Sequence, residues 1–192
     1  MRKPDGYDEA KSSSYKSKKL PAGAYEVEIL NAAVREEYGI EKLILQIDIA
    51  SGDYKGYFKS NYDYQFKNPR KGQTAKWKGI FRQGTSGKYL DYFKSLIKII
   101  EDSNDGYKFD FDEKTLKSKK LGMIFKDKSF FNDDGDEIHY IAADTPLTLD
   151  DLYAGNYDFP TSKPADQSLK QTPKKSTADE MVDDDKELEI PF

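Results

Sequence analysis

Residues 25–29 of the chain read YEVEI, and residues 43–49 read LILQIDI. In both stretches apolar side chains occupy every second position, which is the period of a β-strand that buries one face. Tyr38-Gly39 lies between them and provides a turn signal. The two stretches therefore predict a β-hairpin.

A second hairpin is predicted in the last third of the chain. Residues 121–131 are apolar and aromatic, and residues 132–136 are rich in the Asn, Asp and Gly that favour tight turns. Residues 137–142 are predicted to form the returning strand.

Between the two predicted hairpins, the spacing of apolar residues differs from one segment to the next. Residues 67–85 follow no period and contain loop signals, and a short strand is predicted from Tyr107 to Phe111. Four aromatic residues of one parity predict a third strand, whose first and last members are expected in the core: Phe58, Tyr62, Tyr64 and Phe66. Spacings of three and four predict a helix, capped by Thr85 or Ser86, that packs through Tyr89, Tyr92, Phe93, Leu96, Ile97 and Ile100.

This order of elements is that of an OB-fold, a five-stranded, partly open barrel with one helix between its third and fourth strands. We therefore predict a mainly β, OB-fold-like domain over residues 20–159. Residues 1–19 are rich in Lys and Ser, and residues 160–192 lack core-forming side chains until their end. We interpret the first segment as a flexible arm and the last as a disordered tail.

Composition excludes several classes of protein. The chain has 192 residues and no cysteine, so it has no disulfide framework and no thiolate zinc site. No apolar run approaches the length of a membrane span, and the first residues lack the apolar stretch of a signal peptide. These features predict a soluble cytoplasmic protein without a membrane partner.

Charge is distributed unevenly along the chain. Residues 1–150 carry a net charge of +1, whereas residues 151–192 carry −5. Between Tyr64 and Leu90 there are seven basic residues and no carboxylate. Such a stretch produces a local positive field, for which a polyanion is the natural partner.

Single-stranded DNA requires cations that replace the counterions of its phosphates, and flat rings on which unpaired bases stack. Trp77 stands between Lys76 and Lys78 with no hydrophobic period around it, so we interpret it as a stacking platform rather than a core residue. The sequence does not decide whether Phe81 is a stacking platform or a core residue. The predicted DNA-binding residues are Tyr54, Tyr57, Lys67, Arg70, Lys71, Lys76, Trp77, Lys78, Phe81 and Arg82.

Catalytic patterns are not supported by the residues. His139 is the one histidine of the chain and has no cysteine to join it in a zinc site or a catalytic pair. The segment 84–88 lacks the first glycine and the final Ser or Thr of a phosphate-binding loop. We predict no cofactor, no metal and no enzymatic activity. The enzyme alternative is a nuclease whose metal-binding carboxylates are Asp133, Asp134 and Asp136.

The chain ends in an acidic run followed by Ile190-Pro191-Phe192. A mobile acidic segment that ends in a ring, a proline and a terminal carboxylate suits capture by a basic pocket. The Asp-rich stretch and this ending resemble the C-terminal tip of bacterial single-stranded DNA-binding proteins. The resemblance implies that the tip recruits replication, recombination and repair proteins through Asp183, Asp184, Asp185, Ile190, Pro191 and Phe192.

The body of the chain is similar, more loosely, to phage-encoded single-stranded DNA-binding proteins. The segments that carry this likeness are the opening Leu20 to Tyr25, the turn from Gly52 to Phe58 and the hairpin from Leu121 to Ala142. The resemblance implies sequence-independent DNA binding in the replication, recombination and repair of phage DNA, in the cytoplasm of the host cell.

Two further hypotheses remain beside this interpretation. The alternative function is that of an adaptor or decoy, which captures host repair or replication enzymes through its tip without binding DNA. The charge split also suggests that the acidic tail competes with DNA for the basic residues. A homo-oligomer is compatible with either function.

Overall fold

The computed structural model describes residues 3, 7, 19–69, 73–132 and 135–158. Within these residues the chain forms five strands and three α-helices. The strands are β1 (Gly23–Glu37), β2 (Ile40–Ile49), β3 (Ile80–Gly84), β4 (Lys120–Phe131) and β5 (Glu137–Leu147). The helices are α1 (Tyr57–Lys67), α2 (Leu90–Asp102) and α3 (Leu149–Ala154). The prediction of a mainly β fold is confirmed.

The five strands form one antiparallel sheet in the order β3-β2-β1-β4-β5. The edge strands β3 and β5 approach each other but are not hydrogen-bonded neighbours in the described part of the chain. The sheet is therefore curled but not closed, and it approximates an OB-like barrel. Helix α2 lies between β3 and β4 in chain order, where the single helix of that fold was predicted.

Both predicted hairpins are confirmed, by the pairing of β1 with β2 and of β4 with β5. Alternate residues of β1, β2 and β4 point into the core, as the period of two predicts. Two residues of α2 cover this apolar interior. The central side chains, each almost fully buried, are Val27, Ile29, Leu43, Leu45, Ile47, Leu96, Ile100, Leu121, Met123 and Phe125.

The predicted third strand from Phe58 to Phe66 is wrong, because these residues form helix α1. Phe58 is buried, as predicted, and Tyr62 packs beside the core one helical turn later. Phe66, which was expected in the core, is 72% exposed. A spacing of four residues satisfies both periods, so the aromatic pattern alone does not distinguish helix from strand.

The start of α1 is fixed by a carboxylate from another element. Asp48 of β2 accepts hydrogen bonds from the backbone N–H groups of Phe58 at 2.9 Å and Lys59 at 3.0 Å. These donors would otherwise be unsatisfied at the helix N-terminus. Gly56 occupies the cap position and has no side chain for this purpose. The helix therefore depends on a tertiary contact that the local sequence does not contain.

The other differences from the sequence expectations lie between β2 and β4. The actual third strand is β3, which pairs with residues 42–46 of β2 although its own sequence shows no period. The strand predicted from Tyr107 to Phe111 is wrong, since Phe111 adopts a φ of +66°, which an extended strand does not allow. Tyr92 is exposed rather than packed.

None of the helices in the described ranges has both the length and the apolar character that crossing a membrane requires.

Candidate nucleic-acid interface

Trp77, the predicted stacking platform, lies in the core instead. Its side chain is 9% exposed, and the indole N–H donates hydrogen bonds to the carbonyl oxygens of Ile47 and Gly79, both at 3.2 Å. Tyr62 packs against the indole with ring centroids 5.8 Å apart. The prediction of an exposed platform is therefore wrong. The indole of Trp77 is held in the core by hydrogen bonds to β2 and to its own loop. The residues around it show no hydrophobic period that would predict this burial.

The other rings predicted to contact DNA also pack. Phe81 is buried in β3 and lies opposite Leu45 of β2, which places it in the core. Tyr54 and Tyr57 are half-buried, with ring centroids 6.3 Å apart in an edge-to-face contact. Tyr54 also contacts the ring of Tyr25 at 5.9 Å. These two tyrosines stabilise the region after β2 and are partly accessible at most.

The cations of the acid-free stretch have mixed positions. Lys67 and Lys78 are exposed, and Lys76 is half-buried in a segment whose backbone is bound by the side chain of Gln65. Arg70 and Lys71 lie outside the described residues. The exposed rings next to Lys67 in sequence are Tyr64 and Phe66, neither of which was predicted to bind DNA.

Arg82 belongs to a basic surface that the sequence analysis did not identify. Arg35 of β1 lies opposite Lys42 of β2, and Arg82 of β3 lies opposite Ile44, two residues further along β2. Alternate residues of a strand share one side of the sheet, so the three cations project from the same side. Leu43, between Lys42 and Ile44, faces the core. The three cations are therefore on the opposite side of the sheet, where Ile44 is buried and Lys42 and Arg82 are partly exposed. We name Arg35, Lys42 and Arg82 the basic sheet face.

Glu37 holds two of these cations. Its Oε2 accepts a hydrogen bond from Lys42 Nζ at 2.7 Å, and its Oε1 accepts one from Arg82 Nε at 3.4 Å. Burial raises the pKa of Glu37, but the hydrogen bond from Lys42 and the charge of Arg82 outweigh this effect, and the pKa lies below its ordinary value. Glu37 is therefore ionised at neutral pH.

An exposed ring stands at the edge of the basic sheet face. Tyr38 follows Glu37 in the turn between β1 and β2, and it is 70% exposed with a φ of +54°. Lys42 Nζ lies 5.5 Å from the centroid of this ring, within cation–π distance. The position combines a flat surface with neighbouring cations, which are the two features that an unpaired base and its phosphate require.

The end of the β4–β5 hairpin repeats this combination. Phe130 lies opposite Ile138 and Lys128 lies opposite Tyr140, so these four residues share one side of the hairpin. All four are exposed, and the rings of Phe130 and Tyr140 meet edge to face at 5.9 Å. Together with Lys126, on the same side, they form what we name the hairpin face.

Asp144 contacts two cations of the hairpin face, as Glu37 contacts two cations of the basic sheet face. The register of β4 and β5 shifts at Phe125, which leaves Asp144 as the extra residue of a β-bulge. Its carboxylate forms ion pairs with Lys126 and, at 3.3 Å, with Lys128. Burial raises the pKa of Asp144, but hydrogen bonds from both lysines and from Thr145 outweigh burial and lower it. Asp144 is therefore also an ionised carboxylate between two cations.

The described residues contain no group of three or more His, Asp or Glu side chains placed to hold a metal ion. His139 lies on the exposed hairpin, with Nδ1 3.7 Å from Asp127 Oδ2. Asp133 and Asp134, two of the carboxylates in the alternative nuclease site, lie outside the described residues, and so does the whole predicted partner-binding tip from Asp183 to Phe192.

Neither face coincides with the acid-free stretch between Tyr64 and Leu90, of which only Arg82 belongs to one of them. A weaker signal was present at the two hairpin turns. Tyr38 lies in the first turn and Lys42 follows it, and Lys128 and Phe130 occupy alternate positions before the second turn. A polar strand face that carries rings and lysines near a turn is the pattern that would have identified them.

No protein-family model matches the chain, and a search of curated proteins gives no significant match.

Proposed function

We propose that the protein binds single-stranded DNA without sequence preference and without chemical catalysis. The observation that supports this most is a surface pattern shared by both hairpins: Tyr38 stands next to the cations of the basic sheet face, and the hairpin face carries exposed rings next to lysines. Stacking on a ring accepts every base and contributes about 1–3 kcal/mol per base. Cations bind the phosphates irrespective of sequence.

The placement of the two faces also suits this ligand. In OB-like barrels, oligonucleotides bind across the second and third strands, between the loop that joins strands one and two and the loop that joins strands four and five. The basic sheet face lies on β1, β2 and β3, Tyr38 lies in the first of these loops, and the hairpin face approaches the second. Exposed rings favour single strands, because the bases of a duplex are already stacked on one another.

The proposal extends to the C-terminal tip and to the biological setting. The resemblance of the tip supports recruitment of replication, recombination and repair proteins to the coated strand, in the cytoplasm of a phage's host cell. The acidic charge of the tail suits a basic pocket on such a partner.

A labelled oligo-dT strand, titrated with the full chain across a salt series, tests the proposal by fluorescence anisotropy. We expect tight binding at low salt that weakens steeply as salt rises. Replacing Arg35 with Ala should make the slope of log K against log salt shallower by about 0.7, the contribution of one phosphate on a single strand. Lys94→Ala, which removes an exposed cation of α2, is the matched control and should leave the slope unchanged.

Three outcomes would contradict the proposed function or the interface assigned to it. Absence of binding at low salt would favour the adaptor or decoy. Equal slopes for Arg35→Ala and the wild type would remove the basic sheet face from the interface. Cleavage of the strand after magnesium is added would favour the nuclease.

A further inference from the structure

Each of the two faces contains one carboxylate that lies between two of its own cations. Glu37 contacts Lys42 and Arg82, and Asp144 contacts Lys126 and Lys128. We propose that these carboxylates are built-in competitors of DNA phosphate, which the strand must displace from the cations before it binds. This inference rests on the proposed function and identifies how the same interface is regulated.

The geometry favours competition over a passive ion pair. Both oxygens of Glu37 are engaged, and its side chain is 11% exposed, so salt screens the pair less than it screens surface charges. A phosphodiester oxygen requires the same N–H donors that Glu37 and Asp144 occupy. In the free protein, some N–H donors of the cations are therefore already occupied by these carboxylates. A bound strand also places its negative phosphates next to a negative carboxylate.

Asp144 supports the inference independently, because it repeats the arrangement of Glu37 on another hairpin, at a β-bulge. The ladder is irregular at this point, and the carboxylate of the extra residue contacts both lysines of the hairpin face. β-Bulges are over-represented at sheet edges and next to active sites. The same arrangement of one carboxylate between two cations therefore occurs on both hairpins.

The charge can be removed while the shape is kept. Glu37→Gln and Asp144→Asn retain side chains that accept hydrogen bonds but no longer compete as anions. Two matched variants change the net charge equally: Glu36→Gln, beside Glu37 in β1 with its side chain directed to the other side of the strand, and Asp127→Asn, on the opposite side of the hairpin from Lys126.

Anisotropy titrations of the full-length variants with oligo-dT across a salt series test the inference. We expect Glu37→Gln and Asp144→Asn each to bind roughly tenfold more tightly than their matched controls at low salt. The slope of log K against log salt should steepen by about 0.7 for each phosphate gained. Thermal melting of every variant checks that the folded state is kept.

The possible results separate the inference from the proposed function. If Glu37→Gln and Glu36→Gln change the affinity by the same factor, net charge explains the effect and the inference is wrong. If Glu37→Gln binds more weakly than the wild type, the carboxylate positions the cations rather than competing for them. If the wild type binds and the charge variants behave like their controls, the proposed function is supported and the inference is wrong. If neither the wild type nor any variant binds, the proposed function fails and the inference fails with it.

Discussion

Two regions of the molecule combine aromatic rings with lysines, and they use the combination in opposite ways. Around Trp77 and the first turns of α1, the rings of Phe58, Tyr62 and Trp77 turn inward. Lys78 stays at the surface. On the two hairpins the rings of Tyr38, Phe130 and Tyr140 are exposed beside the lysines. The segments Lys76-Trp77-Lys78 and Lys128-Ser129-Phe130 look alike in sequence. Interleaved rings and lysines therefore do not identify a surface until the backbone partners of the ring are known.

The carboxylates of the two regions differ in the same way. Asp48 is buried and satisfies backbone N–H groups at the start of α1, and burial raises its pKa despite those hydrogen bonds. Glu37 contacts side-chain cations, and its pKa is lowered. The first carboxylate organises the fold, whereas the second faces the candidate ligand.

The largest expected effect concerns the buried ring. Trp77→Ala should reduce the free energy of unfolding by about 3–5 kcal/mol, because it leaves a cavity and removes the hydrogen bonds to Ile47 and Gly79. Urea denaturation measures the loss. Tyr64→Ala, which truncates an exposed ring of α1, is the control and should change stability by less than about 0.5 kcal/mol. Equal effects of the two substitutions would contradict the inward role of Trp77.

The next effect concerns the cap of α1. Asp48→Ala should cost about 1–3 kcal/mol of stability, since the N–H groups of Phe58 and Lys59 lose their acceptor. Urea denaturation at neutral pH measures it. A loss confined to a few tenths of a kcal/mol would show that α1 does not depend on this carboxylate.

The pH dependence of stability gives a separate test of Asp48. Its pKa is raised above the ordinary 3.8, so the folded state binds the proton more tightly than the unfolded state does. Stability associated with this group is therefore greatest below pH 3.8 and falls as pH rises toward the folded pKa. Asp48→Asn lacks this titration, and the stability of the wild type relative to it should decline over that window. A relative stability that rises with pH would contradict the raised pKa.

The smallest effect concerns the acidic tail. If the carboxylates of the tail compete with DNA for the two faces, deleting residues 179–192 should raise the affinity for oligo-dT by roughly threefold to tenfold at low salt. The gain should vanish at high salt, where the competition is screened. Anisotropy at both salt concentrations measures it, and an unchanged affinity at low salt would exclude the competition.

The predictable part of the fold is the part that local sequence determines. The alternation of residues 25–29 and 43–49 correctly predicts the first hairpin, and the turn residues 132–136 between apolar segments correctly predict the second. The helical spacing correctly predicts α2. Helix α1 was not predictable in this way, because its cap comes from Asp48, ten residues before Phe58 and on another element. Trp77 was misinterpreted because its acceptor, Ile47, lies thirty residues away.

The candidate site was less predictable than the fold. Arg82 was identified from the acid-free stretch, but Arg35 and Lys42 form a surface with it only once the register of β1, β2 and β3 is known. A slip of one residue would have moved these side chains to the core side of the sheet. The register depends on pairing between strands, which a pattern along one segment does not determine.

The central claim is that exposed rings on the two hairpins bind single-stranded DNA, and affinity for oligo-dT tests it most directly. Tyr38→Ala/Tyr140→Ala removes one ring from each hairpin, and Tyr92→Ala removes a ring of matched exposure from α2, 67% against 70% for Tyr38. Two lost stacking contacts should weaken binding by at least about thirtyfold, whereas Tyr92→Ala should change it by less than about twofold. A double variant that binds as tightly as the wild type, or a Tyr92→Ala variant that loses as much affinity, would contradict the claim.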